Sequence, residues 1–176
     1  MILLDPDQPE AADGFPQLVS SAANKSVRSP LPSQRTLTRY LREAQSAVGL
    51  KGEVTVLLTT DKGIRGLNRR FRKKNKATDV LSFPVDDPRF GSAGDLAISV
   101  NTAMRQAEVH GHRLSTELRV LMLHGLLHLA GMDHETDEGQ MSRKEQRLRT
   151  RLKLPSGLIE RVESPGKRMS KARSAR

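Results

Sequence analysis

The sequence predicts an α/β protein: a single small layered domain, a mostly parallel mixed sheet with helices, and its functional site on a buried central helix. Two apolar runs, Glu53–Thr59 and Gly94–Ser99, are each followed by a helical pattern. Strands that alternate with helices pair in parallel, because a parallel connection needs a crossover long enough to hold a helix. Residues 115–130 are apolar on nearly every face, which marks a helix covered on all sides. A chain of 176 residues is one domain's worth.

The elements follow in order. Ile2 to Leu4 is a short possible strand. Residues 5–34 are rich in Pro, Ser, Ala and Asp without periodicity, so 1–34 is expected to be an N-terminal extension, partly disordered after that strand. From Ser33 or Thr36 the apolar residues Leu37, Leu41, Ala44 and Val48 recur at helical spacing, and Gly49 closes the run. Glu53–Thr59 is β-branched and apolar, the pattern of a central strand. Thr60 or Asp61 caps a helix carrying Ile64, Leu67, Asn68 and Phe71 on one side and Arg65, Arg69, Arg70, Arg72, Lys73 and Lys74 on the other.

Val80 to Phe83 is a short strand, and Pro84 places it at a sheet edge, since proline cannot donate to a further ladder. After a loop over 85–93 come the strand Gly94–Ser99 and a helix from about Asn101 to Val109. His110 and His112 fall in a polar connection and are expected to be exposed and not to ligate a metal. Ser115 is expected to cap the buried helix, with Glu117 favourably placed in its first turn. A last helix, about Asp137 to Leu152, turns Met141, Leu148 and Leu152 inward, and Pro155 marks its end. The folded domain is therefore 35–155, followed by a basic tail over 156–176 that lacks the apolar residues to build a core.

Composition narrows the function. There is no cysteine, which excludes disulfides and thiolate ligands. The first residues lack a basic region and a long apolar run, so no secretory signal is expected. No stretch approaches the length of a membrane span. A cytoplasmic protein without a membrane partner is the expectation. The net charge is +10, and the pI is near 10.5. Residues 61–76 hold eight Lys or Arg against Asp61 alone, and residues 143–176 hold twelve against Glu145, Glu160 and Glu163. Two such blocks point to a polyanionic partner. With aromatic residues at 3% and no Trp, base stacking is expected to be limited, and phosphate contacts should dominate binding.

The chemistry is concentrated in His124-Gly-Leu-Leu-His128-Leu-Ala-Gly131-Met-Asp-His134. Two histidines four apart on a helix differ by about 40° of rotation and about 6 Å of rise, so both can reach one metal ion. Gly131 stands where a helix would end in a left-handed residue, and the returning chain can deliver His134 as a third ligand. Three protein ligands leave the open fourth position of a catalytic zinc site. Imidazoles also suit other divalent transition metals, among them Ni, Cu and Fe. The spacing matches zinc peptidases, but those carry glutamate after the first histidine as general base, and here that residue is Gly125.

Several stretches together resemble the bacterial YbeY endoribonucleases, or ribosomal RNA maturation factors. They are Leu67-Asn68-x-x-x-Arg72, Ala77-Thr78-Asp79-Val80-Leu81-Ser82-Phe83-Pro84, Gly94-Asp95-x-x-Ile98-Ser99 and His124 through His134, in the family's order. Met132 departs from the family's usual Tyr. The resemblance covers about 36–155 and implies a zinc-dependent endoribonuclease specific for single strands. Its expected role is maturation of the 3′ end of small-subunit ribosomal RNA and ribosome quality control. The implied partners are RNA and the small subunit, not DNA. The resemblance assigns His124, His128 and His134 as metal ligands and Arg72 as the arginine facing the cleft, where it engages the RNA backbone. Arg72 offers a permanently charged planar fork suited to phosphate; otherwise it is one more basic residue on an exposed helix. Asp133, Glu135 and Asp79 are candidate general bases, and Asp79 could instead orient a ligating histidine. Two other readings stand beside this one: a metallopeptidase, and a non-catalytic metal-bearing ribosome-assembly or RNA-binding factor.

Overall fold

Alternation along the strands builds the core. In β2 (Glu53–Thr59), Val54, Val56 and Leu58 point to one face and Leu57 to the other; in β4 (Ser92–Ser99), Leu96 and Ile98 oppose Ala97 in the same way. A computed structural model describes residues 1–5, 30–85, 91–134 and 136–155. It shows a four-stranded mixed sheet in the order β1-β2-β4-β3. β1 (Ile2–Leu4) and β4 run parallel to β2, while β3 (Val80–Phe83) runs antiparallel to β4 at the edge. The mostly parallel sheet and the edge position before Pro84 are both as expected.

α1 (Gln34–Val48) and α4 (Leu114–Leu129) pack with the larger set of strand side chains. α2 (Asp61–Arg72) covers the other face, where Ile64 meets Leu81 and Ala97. α3 (Val100–Val109) and α5 (Gln140–Arg151) flank α4, which touches β3, β4 and all the helices except α2 closely. Leu118, Val120, Leu121, Met122, Leu123, Leu126 and Leu127 of α4 are completely buried. At roughly 1.5–3 kcal/mol for each fully buried large side chain, packing rather than helix propensity fixes this element.

Packing also corrects one expected boundary. α4 starts at Leu114, with Arg113 as its cap residue and no side-chain cap bond, so Ser115 lies inside the helix. Leu114 is buried and falls in line with Leu118 and Leu121. Its burial outweighs the ~1 kcal/mol of a serine cap. α5 starts three residues later than expected because Gly139 adopts φ 79°. Asp137 lies outside the helix and caps it, accepting hydrogen bonds from the backbone N–H groups of Gly139, Gln140 and Met141. Met141 and Leu148 are buried as expected, and Leu152 is half-buried. The bulk of the N-terminal extension, Glu135 and the basic tail over 156–176 lie outside the described residues.

Candidate metal centre and cleft

The carboxyl end of α4 places the first two histidines, and a turn places the third. The helix ends in a Schellman arrangement: the Gly131 N–H bonds the His128 carbonyl, and the Met132 N–H bonds the Leu127 carbonyl. Gly131 takes φ 79°, the left-handed conformation the spacing requires. Met132 packs back on the core, which accounts for a large apolar side chain at this position. The reversal brings His134 to the other two, and one ligand nitrogen from each of His124, His128 and His134 lies within 4.8 Å of the others. Gly131→Ala forces a side chain into the strained region at a cost of roughly 1–2 kcal/mol. Because the turn carries His134, metal affinity should fall further than the melting temperature accounts for; isothermal titration beside thermal melts would show it, and a matched small loss in both would deny the turn this role.

The three imidazoles fit a divalent metal. His124 Nδ1 is 3.1 Å from Glu145 Oε2, which fixes the proton there and leaves the lone pair on Nε2. His128 hydrogen-bonds the Met132 backbone. The Nε2 atoms of these two rings stand 3.1 Å apart. A neutral imidazole has a single N–H. With those protons given to Glu145 and Met132, two lone pairs face each other, which is repulsive unless a cation lies between. Ligands at 2.0–2.1 Å around a tetrahedral ion stand roughly 3.3 Å apart, close to the observed separation. Nδ1 of His134 is buried without a hydrogen-bond partner among the described residues. Burial first, and then the neighbouring His124 and His134, push the His128 pKa down to about 4, so its ring is neutral at pH 7 and open to coordination.

Behind the cluster is a buried pair that the sequence reading missed. Glu145 and Arg149 of α5 are 1% and 2% exposed. Arg149 donates from Nε and Nη2 to Glu145 Oε1 at 2.8 and 2.6 Å, and from Nη1 to the Pro155 carbonyl. Burial acts to raise the Glu145 pKa, but the hydrogen bond from His124 and the Arg149 guanidinium bring it down to about 2. Glu145 thus orients His124 as an anion. A signal was available: Glu145 lies four residues after Met141 and three before Leu148, on the helix face already assigned to the core. Asp79, the other candidate for that role, has its oxygens on the Thr78 hydroxyl, the Val80 N–H and the Gln106 amide.

The histidines open into a cleft of about 550 Å3 that is also lined by Arg72, Lys74, Asp79 and Asp133. Arg72 is exposed at the end of α2, and its Nη2 donates to the Ser82 carbonyl of edge strand β3 at 3.2 Å. Asn68, buried in α2, holds the connecting loop by donating to the Lys76 carbonyl. The remaining histidines stay away from this cluster. His110 is exposed, as expected, but His112 is not: its ring is bonded to Glu117, which is completely buried. A first-turn acid drawn into the core needs such a partner, and the ring follows it in.

Gly125 answers the peptidase question in steric terms. A Cβ there would lie 2.7 Å from Leu96 Cδ2, because α4 is pressed onto β4 at this point. A side chain at this position would require Leu96 to shift, so the close approach of helix to sheet favours glycine here.

A family model described as endoribonuclease YbeY matches residues 21–153 of the chain. An endoribonuclease YbeY from Koribacter versatilis is 54% identical over 141 residues, covering 79% of this chain and 90% of the relative. One from Solibacter usitatus is 47% identical over 150 residues, covering 83% of this chain and 100% of the relative.

Proposed function

The chain belongs to the YbeY endoribonuclease family, and from that premise we propose that it is a zinc-dependent hydrolase that cleaves single-stranded RNA. Its substrate is the 3′ end of small-subunit ribosomal RNA, during maturation and in ribosome quality control, which makes it a cytoplasmic enzyme working on the ribosomal small subunit. The observation that carries this reading is that His124, His128, His134 and Arg72, from two separate stretches of the chain, line one cleft.

His124, His128 and His134 would hold the ion, with Glu145 and the Met132 backbone orienting two of the rings. When bound, zinc supplies Lewis acidity and lowers the pKa of water towards 7. Arg72 and Lys74 bring positive charge to the wall beside the imidazoles, where the phosphodiester lies. The Arg72 guanidinium, steadied by the Ser82 carbonyl, grips two phosphate oxygens as charge develops on them. Asp133, accepting from the Thr136 hydroxyl at 3.2 Å, is the described carboxylate beside His128 best placed to accept a proton. The domain over 35–155 carries the chemistry, and the basic tail over 156–176 adds phosphate neutralisation.

Arg72→Ala is expected to cut cleavage of single-stranded RNA by tenfold or more, about 1.4 kcal/mol per factor of ten, with metal content and melting temperature unchanged. Arg72→Lys should restore it only partly, since a point charge lacks the bidentate fork. Full activity in Arg72→Ala would leave Arg72 as a solvated helix charge.

A further inference from the structure

We propose that Phe71 is a stacking platform for a nucleobase of single-stranded RNA at the rim of the cleft, an inference that rests on the RNA reading above. Phe71 is 55% exposed, an unusual place for a phenyl ring in a chain with so few aromatics. It belongs to the apolar side of α2 with Ile64 and Leu67, yet it lies beyond the cluster they join. The ring is held in place. Phe83 of the edge strand meets it at 5.2 Å between centroids and 71° between planes, and the Arg70 guanidinium stands 5.3 Å from its centroid.

Its position relates it to the cleft. Phe71 and Phe83 pair at the same corner where the adjacent residues Arg72 and Ser82 are hydrogen-bonded. Successive side chains on a helix turn by about 100°. Arg72 therefore lines the cleft while Phe71 stands just outside it. Within three residues of Phe71 in the sequence, Arg69, Arg70, Arg72, Lys73 and Lys74 supply charge for phosphates beside a stacked base. A cationic surface with one braced, exposed aromatic is the combination that single-strand binders use, because every base presents a π-face.

The chain has no Trp, so Phe71→Trp creates a single-tryptophan reporter. With metal-free protein, a short oligoadenylate should quench its fluorescence, and an abasic oligoribonucleotide of equal length and charge should not. Phe71→Ala should weaken oligoadenylate binding about tenfold while leaving abasic binding as it was. Phe71→Leu, which keeps the apolar cover over Phe83, should retain the melting temperature but not the lost affinity. Equal quenching by the abasic strand, or wild-type affinity in Phe71→Ala, would overturn the proposal. Failure of the activity reading is a different result: wild-type protein loaded with zinc that leaves single-stranded RNA intact, whatever the tryptophan reports.

Discussion

His128→Ala is expected to abolish RNA cleavage and to reduce bound metal well below one equivalent, while the metal-free protein melts no lower than wild type. The first two effects follow from the ligand set: two imidazoles cannot match three for a divalent ion, and the truncated ring is one already neutral at pH 7. The third separates a metal site from a core histidine. The Nε2 atoms of His124 and His128 face each other at 3.1 Å. With the ring protons directed to Glu145 and Met132, their lone pairs repel when no cation lies between, so removing one ring relieves repulsion rather than breaking a stabilising contact. A histidine retained only for packing would behave in the opposite way, lowering the melting temperature and leaving metal content untouched. His110→Ala, at an exposed position, should change neither property. His112→Ala should keep the metal but lose stability, because it removes a partner from buried Glu117. Elemental analysis of purified variants together with thermal melts distinguishes the three histidines.

Glu145→Ala should be the most destabilising single change near the site. It leaves Arg149 in the core without the carboxylate that two of its nitrogens share. Breaking a buried ion pair from one side costs about 3–5 kcal/mol. It also removes the acceptor that fixes the His124 tautomer, and losses of this kind reduce metal affinity about 10–100-fold. The two effects can be separated. Glu145→Leu with Arg149→Leu replaces the pair by apolar side chains, so stability should largely return. Metal affinity should not return, because His124 Nδ1 still lacks its acceptor. Denaturant melts give the first quantity and competition with a chromophoric chelator gives the second. If the double variant regained both, Glu145 would be a stabilising ion-pair partner and nothing more.

The difference between what was legible in the sequence and what was not follows from how far each signal reaches along the chain. β2 and the edge position of β3 were readable because β-branched residues, alternation and Pro84 act within a few residues. The histidine cluster was readable because 124 and 128 share a helix face, and Gly131 has one strong reason to be where it is. The last helix was expected from about Asp137 but begins at Gln140, since Gly139 takes a left-handed conformation and Asp137 caps the helix from outside it. The start of α4 was misjudged because Leu114 is held by long-range packing, which outweighs a nearby serine. Glu145, the exposure of Phe71 and the burial of His112 depend on what another element brings alongside, so periodicity alone under-reports them. The close approach at Gly125 is of the same kind: the sequence shows a missing glutamate, and only the structure shows Leu96 of β4 lying against that position.

The central claim is that the three imidazoles and Arg72 form one metal-dependent site for RNA. It is tested most directly by following cleavage of a single-stranded RNA by the full chain before chelation, after chelation and dialysis, and after adding back one equivalent of zinc. The account predicts cleavage, then none, then recovery, with the chelated protein still folded by circular dichroism. Undiminished cleavage by folded protein with its metal removed would contradict it.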